Sequence, residues 1–114
     1  DINVNADADA RLLAKITDTV EAHIADSDFN VTRLQETLGL GSKLLYRKVK
    51  QMTGKTPVEF MRHIRMQRAA MLLKEGRFSV SEVMYMVGFS NSSYFSKCFQ
   101  KVYGLTPTDY SRKS

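Results

Sequence analysis

Apolar residues recur at intervals of three and four positions along most of this chain of 114 residues. That spacing is the period of an α-helix with one buried face, and there is no sustained alternation of apolar and polar residues of the kind that marks a half-buried strand. The pattern therefore predicts an all-α fold with about seven helices. The predicted helices cover residues 9–26, 31–38, 42–53, 57–74, 80–87, 92–103 and 107–112.

The ends of these segments carry residues that usually cap helices. Both prolines follow a threonine and stand two positions before an acidic residue, which is the pattern of a helix start. Ser79 and Glu82 form the pattern of a capping box, and Phe78 and Val83 flank it as a hydrophobic staple does. Five of the six glycines stand where a periodic segment stops, as C-terminal caps do. These glycines are Gly39, Gly54, Gly76, Gly88 and Gly104.

One unit occurs twice along the chain. Residues 29–40 correspond to residues 78–89 at an offset of 49, and residues 45–57 correspond to residues 95–107 at an offset of 50. Each copy contains a short helix, a glycine-containing turn and a longer helix that ends at the sequence Gly-x-Thr-Pro. Two copies are too few for a solenoid, so the repeat predicts a paired motif.

Each copy has the composition of a helix-turn-helix motif, in which a tight turn joins a short helix to a second helix. The second helix of such a motif buries one face and offers the other to the major groove of DNA. The predicted buried positions are Leu45, Val49 and Met52 in the first copy and Phe95, Cys98, Phe99 and Val102 in the second.

The opposite faces of the two longer helices are polar and basic. Small hydroxyl side chains near a helix start allow close approach to DNA, lysine and arginine neutralise phosphates, and arginine can hold a guanine edge with two hydrogen bonds. The candidate DNA-binding residues are Ser42, Lys43, Tyr46, Arg47 and Lys50 in the first copy and Asn91, Ser92, Ser93, Ser96, Lys97 and Lys101 in the second.

Some of these side chains have a structural alternative. For Ser90 and Asn91, capping of the following helix is favoured over contact with bases. Tyr46 and Tyr94 are alternatively half-buried packing residues, a role that we favour for Tyr94. Lys48 is expected to face solvent.

Four segments carry a resemblance to a known family. They are Ile64-Arg65-x-x-Arg68-Ala69-x-x-Leu72-Leu73, Val80-x-x-Val83-x-x-x-Val87-Gly88-Phe89, Ser93-Tyr94-Phe95-Ser96-Lys97-x-Phe99-x-Lys101 and Gly104-x-Thr106-Pro107-x-x-Tyr110. With them, residues 29–112 resemble the DNA-binding domain of the AraC/XylS family of transcription regulators, and the helix at 9–26 stands in the place of the family's first helix. The segment Leu45-Tyr46-Arg47-Lys48, taken with Thr56-Pro57-x-x-Phe60-x-Arg62, is similar to output domains of hybrid two-component sensors.

The resemblance implies sequence-specific binding of double-stranded DNA and regulation of transcription by two helix-turn-helix subdomains, at about 31–53 and 80–103. One long helix joins them, here residues 57–74, whose 18 residues span about 27 Å. With the offset of each packed unit we expect a separation near one turn of DNA, about 34 Å, so that helices 42–53 and 92–103 enter adjacent major grooves. By position, the base-contact candidates are Lys43, Tyr46, Arg47, Ser92, Ser93, Ser96 and Lys97, and the phosphate candidates are Ser42, Lys50 and Lys101.

The chain departs from the family pattern at a few positions. Gln35 and Met84 stand where the family usually has alanine, and Gly41 replaces the usual serine before the first recognition helix, which makes a weaker cap. Leu44 is apolar at a position that often faces DNA, where it touches a thymine methyl group or simply packs. Arg65 is expected to tie the two halves together by structural hydrogen bonds rather than to bind phosphate.

Charge is divided unevenly along the chain, whose formal net charge is +5. Residues 1–28 carry seven acidic and two basic residues, whereas residues 29–114 carry fifteen basic and five acidic ones. The basic body suggests a polyanionic partner, although a solvated basic face without a partner explains the charge equally well. We expect residues 1–8 to be an acidic leader or linker and residues 9–114 to form one DNA-binding domain.

Other classes of function find no support in the sequence. No apolar run approaches the roughly 18 residues of a membrane helix, and the acidic start is unlike a signal peptide. The single cysteine, Cys98, cannot form an internal disulfide, which suits a reducing, cytoplasmic location. His23 and His63 lack further ligands at metal spacing, and neither a catalytic triad order nor a phosphate loop occurs. We therefore predict a protein that is not an enzyme and has no metal site and no cofactor.

Two other functions remain alternatives to a regulator. The first is a non-sequence-specific architectural nucleic-acid-binding protein, and the second is a protein-interaction module. RNA polymerase is a further candidate partner of a regulator, and we expect no membrane contact. Asp1 is not a natural first residue, so we expect a longer chain whose sensor or receiver domains bring about oligomerisation.

The first recognition helix is predicted to contribute more sequence discrimination than the serine-rich second one. Arg47→Ala is therefore expected to weaken binding to a given operator more than Lys97→Ala does, because arginine can hold a base edge bidentately. Affinities of both variants for the same duplex measure the difference. A larger loss from Lys97→Ala would contradict the hypothesis.

Overall fold

The computed structural model of the protein describes residues 4–113, and every regular element in that range is an α-helix. The helices are α1 (Val4–Ala22), α2 (Val31–Leu38), α3 (Ser42–Thr53), α4 (Pro57–Glu75), α5 (Val80–Met86), α6 (Ser92–Tyr103) and α7 (Pro107–Lys113). The predicted all-α class is confirmed for the described residues, and six of the seven predicted helices agree with the structure to within one residue at each end.

The first helix differs most from the prediction, which gave it residues 9–26. It begins at Val4, so the predicted leader at 1–8 contributes its last five residues to α1, while residues 1–3 lie outside the described part of the chain. Asp7 and Arg11, one helical turn apart, form an exposed ion pair at 2.6 Å on this early segment. The helix ends at Ala22, and the carbonyls of Ile24 and Asp26 accept hydrogen bonds from Arg65 instead of continuing the helical ladder.

The chain divides into two compact units. The first consists of residues up to His23 together with Phe29–Met61, and the second consists of Ile24–Asp28 together with the chain from Arg62 onward. Helix α4 begins in the first unit and continues into the second. Each unit therefore contains one copy of the repeated motif.

The first unit has a small, mainly aliphatic core that α1, α2 and α3 share. Helix α1 packs on both α2 and α3, and the side chains at their junction are fully or almost fully buried. These residues are Ile16 and Val20 of α1, Phe29 before α2, Leu34 of α2, and Leu45 and Val49 of α3. Met52, the third residue of the predicted buried stripe, is only partly buried in the last turn of α3.

The second unit has a larger core rich in aromatic rings. Its buried residues are Met66, Ala69, Ala70 and Leu73 of α4, Val83, Met84, Val87 and Phe89 in and after α5, and Phe95, Cys98 and Phe99 of α6. Phe99 is fully buried, and its ring centroid lies 4.8 Å from that of Tyr103 and 5.2 Å from that of Tyr110 on α7. These ring contacts hold the short α7 against α6, and burial raises the pKa of the Tyr103 hydroxyl, with a smaller contribution from Tyr110.

One predicted core position of α6 is wrong. Val102 is 39% exposed, and Tyr103 occupies the end of the buried face in its place. The physical reason is the docking of α7, because Tyr110 and Phe99 both pack on the ring of Tyr103 and leave the neighbouring Val102 outside.

The capping signals predicted from the sequence are confirmed at several helix ends. The Ser79 hydroxyl accepts a hydrogen bond from the Glu82 backbone N–H at 3.1 Å, and the Ser79 backbone N–H donates to the Glu82 carboxylate at 2.8 Å. Thr56 and Glu59 form the same reciprocal pair at the start of α4. The five glycines at predicted helix ends all have positive φ. Among them, only Gly88 has other atoms within 4 Å of the place where a Cβ atom would stand.

The capping box of α5 makes a prediction about pH. The backbone N–H of Ser79 and then its hydroxyl hold the pKa of the Glu82 carboxyl below its ordinary value, with burial acting weakly in the opposite direction. A folded-state pKa below the unfolded one stabilises the fold above the unfolded pKa, and this stabilisation is lost as the pH falls through the folded pKa. Glu82→Gln is therefore expected to melt below the wild type at neutral pH, and the difference is expected to shrink in acid.

Thermal melting followed by circular dichroism across this pH range measures the effect. Glu36→Gln is the matched control, because Glu36 is an exposed glutamate in the second half of α2, away from the N-terminal cap of that helix. A melting difference between Glu82→Gln and the wild type that stays constant from neutral pH into acid would contradict the assignment.

Candidate nucleic-acid interface

The exposed face of α3 carries all five residues predicted for the first copy. Leu45 and Val49 anchor the helix in the core, and the side chains on the opposite side are exposed. These exposed residues are Ser42, Lys43, Tyr46, Arg47 and Lys50. Tyr46 is 50% exposed, and the Lys50 ammonium donates a hydrogen bond to the Gly54 carbonyl at 3.2 Å, where a cation also meets the negative end of the helix dipole.

Helix α6 presents the corresponding face of the second copy. Phe95, Cys98 and Phe99 are buried, whereas five of the six predicted residues are exposed and Ser96 is partly buried. The exposed five are Asn91, Ser92, Ser93, Lys97 and Lys101. Within this unit, the serines of α6 and Lys97 line one side of an open groove of about 650 Å³, whose other sides come from α5 and the start of α7.

Helices α3 and α6 begin differently. Gly41 precedes α3 and makes no side-chain hydrogen bond to the helix, as the departure from the family pattern predicts. Asn91 precedes α6, and its side-chain oxygen accepts a hydrogen bond from the Tyr94 backbone N–H at 2.9 Å. The preferred interpretation of Asn91 as a cap is thus confirmed, and its contact with DNA stays a prediction.

The sequence also makes predictions for Tyr94 of α6 and Lys48 of α3. Tyr94 is 50% exposed and its ring lies 5.6 Å from that of Phe89, in agreement with a half-buried packing role. Lys48 does not face solvent as predicted, because its ammonium donates to the Asp9 carboxylate of α1 at 2.9 Å. The side chains of Lys48 and Asp9 are 27% and 21% exposed. This ion pair occurs because α1 packs along the flank of α3, a contact that no local pattern reveals.

The basic charge available to a polyanion is therefore unequal in the two copies. With Lys48 paired to Asp9, the exposed bases of α3 are Lys43, Arg47 and Lys50. Those of α6 are Lys97 and Lys101. Lysine and arginine bind phosphate without regard to sequence, so we expect α3 to contribute more of the salt-dependent affinity.

Arg65 makes structural hydrogen bonds, as predicted. It is 6% exposed, and its guanidinium donates to the carbonyls of Ile24 at 2.7 Å, Val87 at 2.8 Å and Asp26 at 3.1 Å. Burial lowers the pKa of this guanidinium, and the charge of Asp26 opposes the shift. All three carbonyls belong to the second unit, so these bonds do not join the two halves as expected.

Metal-ligand groups and membrane spans were considered for the part of the chain that the structure describes. Among residues 4–113, no group of three or more histidine, cysteine, aspartate or glutamate side chains is placed to hold a metal ion. No helix in the same range combines the length and hydrophobicity that crossing a membrane requires. Cys98 is buried in the core of the second unit.

Comparison with known proteins adds independent information. The family described as a helix-turn-helix domain matches residues 34–113. "Histidine kinase P4" of Formosa agariphila is 40% identical over 105 residues, which are 92% of this chain and 8% of that protein. The "HTH-type transcriptional activator RhaS" of Escherichia coli is 34% identical over 90 residues, which are 79% of this chain and 32% of that protein. The chain thus spans only a minor part of these curated relatives.

A solved structure agrees with the fold over nearly the whole chain. It is a transcriptional regulator of Chromobacterium violaceum, described among AraC-type DNA-binding domain-containing proteins, with a TM-score of 0.82 and coverage of 97% of this chain and 96% of that one. At 22% identity, this likeness shows the fold.

The cap at Asn91 is expected to stabilise the protein. Asn91→Ala removes the acceptor for the Tyr94 N–H and should lower the free energy of unfolding by about 1 kcal/mol. Asn91→Ser retains a capping oxygen and is the matched control. Urea unfolding of the three proteins measures the difference, and equal stability of Asn91→Ala and the wild type would contradict a capping role.

Proposed function

The chain belongs to the AraC-type family of helix-turn-helix DNA-binding transcription regulators, and we propose that it binds a specific sequence of double-stranded DNA and regulates transcription there. The observation that carries this proposal is the recurrence of one exposed face. In both copies, a helix of twelve residues buries one side and has hydroxyl and basic side chains on the other, where Ser42 and Arg47 of α3 correspond to Ser92 and Lys97 of α6. The two faces suit the edges of bases and the phosphates beside them.

In this proposal α3 enters the major groove with its N-terminal half toward the bases. Lys43, Tyr46 and Arg47 contact base edges, and Arg47 reaches a guanine with two hydrogen bonds. Ser42 and Lys50 bind phosphates on either side. The exposed positions of Lys43 and Arg47 support this assignment, and so does the ion pair of Lys48 with Asp9, which directs Lys48 to α1.

Helix α6 enters the adjacent major groove in the same way. Its base contacts are Ser92, Ser93, Ser96 and Lys97, with Lys101 on a phosphate. Asn91 also contacts DNA, through the side-chain hydrogen-bonding groups that its capping bond to Tyr94 does not use. Serine hydroxyls donate and accept with little directional demand, so this half reads sequence less strictly than α3.

We also propose that the domain at residues 9–114, extended by the first turn of α1, is the output part of a longer protein. The similarity to a small part of a protein named as a histidine kinase supports a hybrid two-component system. Sensor or receiver domains outside this chain would then control the domain and bring about oligomerisation. Its site of action is the cytoplasm, with RNA polymerase as the partner through which bound protein changes transcription.

Selection from random duplexes tests the central claim. The affinity for the selected site is expected to exceed that for random duplex by about 10³ or more at fixed salt. Arg47→Ala is expected to relax the preference at one position by about 1–3 kcal/mol. Lys74→Ala removes an exposed charge outside both recognition helices and is the matched control.

The same measurement separates the alternative functions. A ratio near one at measurable affinity would replace the proposal by a non-sequence-specific architectural protein. Absence of DNA binding would favour a protein-interaction module.

A further inference from the structure

A buried cation lies directly behind the turn of the second helix-turn-helix motif. Arg65 is 6% exposed, and its guanidinium contacts carbonyl oxygens from two separate stretches, residues 24–26 and Val87. Removing a guanidinium from water is costly unless its donors are satisfied, and three carbonyls meet that requirement here. The contact therefore requires one particular arrangement of the backbone, because carbonyls from both stretches must reach the guanidinium at the same time.

Gly88 makes this contact possible. A Cβ atom at Gly88 would lie 1.8 Å from Nη1 of Arg65 and 2.6 Å from the Ile24 carbonyl oxygen, and its φ of +83° is unfavourable for any other residue. The equivalent glycine of the first copy, Gly39, also has a positive φ of +67°, but a Cβ there would meet nothing within 4 Å. Only the second copy thus requires glycine for close approach as well as for backbone conformation.

The turn that Arg65 holds leads directly into α6. Val87 closes α5, and Phe89 follows Gly88 with its side chain in the core. The Phe89 ring lies 5.6 Å from the ring of Tyr94 and 5.5 Å from that of Phe95, both in the first turn of α6. A displacement of the turn therefore also displaces the N-terminal half of α6, which carries the serines and Lys97.

We propose that Arg65 is a positioning residue for DNA recognition, which holds the turn 87–89 and thereby sets the placement of α6 in its groove. The segment 24–28, which follows α1 in the chain, supplies two of the three carbonyls, so the order of that segment and the position of α6 are linked. This inference rests on the proposed function, since it assigns a role within DNA binding. The first copy lacks an equivalent crowded glycine, so the link is confined to the second.

A matched pair of glycine substitutions tests the inference. Gly88→Ala and Gly39→Ala impose the same left-handed conformation on alanine, and only Gly88→Ala also displaces Arg65. Binding to the selected duplex is measured for each, as a function of salt and by footprinting, at a temperature where circular dichroism shows each variant folded. The double variant Lys97→Ala with Lys101→Ala identifies the half-site that α6 contacts and gives the size of a full loss.

Gly88→Ala is expected to lose protection of the α6 half-site and to lower the salt slope by about two, one for each of Lys97 and Lys101. The accompanying loss of affinity is expected to be about tenfold or more. Gly39→Ala is expected to retain protection of that half-site. Arg65→Lys keeps the charge but cannot present a planar fork to three carbonyls, and it should reproduce the Gly88→Ala result even if Gly88→Ala does not fold.

The outcomes separate this inference from the proposed function. A wild-type protein without preference for any duplex would overturn the proposed function, whatever the variants do. A sequence-specific wild type whose Arg65→Lys or Gly88→Ala variant, when folded, keeps full protection and the full salt slope would overturn the positioning role alone. Equal loss of the α6 half-site in Gly39→Ala and Gly88→Ala would do the same, because the left-handed backbone and not Arg65 would then be responsible.

Discussion

Helices α3 and α6 each bury one face and keep the opposite face in water, and most of the remaining structure serves this requirement. A helix of twelve residues is too short to be stable in water by itself, so its order comes from packing of the apolar side. In the first unit Leu45 and Val49 provide that packing against α1 and α2. In the second unit Phe95 and Phe99 provide it against α4, α5 and α7. The polar face is then left free for a partner.

The two copies meet the requirement with different side chains. The first has a mainly aliphatic core, three exposed bases and a start at Gly41 without a side-chain cap. The second has an aromatic core, a capped start at Asn91 and a face of hydroxyls with two bases. The same architecture thus supports a strongly charged surface in one copy and a weakly charged, adaptable one in the other.

Arg65 shows how the second unit maintains its turn. A buried guanidinium needs several acceptors, and the acceptors here are backbone carbonyls that would otherwise need other partners. Both sides depend on the interaction, since breaking it would leave the cation and the carbonyls without these hydrogen bonds. Gly88 completes it, because any side chain at that position would occupy the space of Nη1.

The sequence by itself determined the features that depend on neighbours along the chain. The helix boundaries from α2 onward, the capping box of Ser79 and Glu82, the positive-φ glycines and the exposed stripes of α3 and α6 all follow from spacing and cap chemistry within a few residues. The resemblance includes Arg65 and Gly88, but the contact between them did not follow from a local pattern. The need for a residue without a Cβ atom beside Arg65 did not follow from one either. Tertiary structure decided what depends on distant residues. It pairs Lys48 with Asp9, and it packs Tyr103 instead of Val102 against the core. It also ends α1 before Ile24, whose carbonyl accepts a hydrogen bond from Arg65. A helical period specifies which side of a helix is apolar, whereas the partner on that side is set only when separate segments pack.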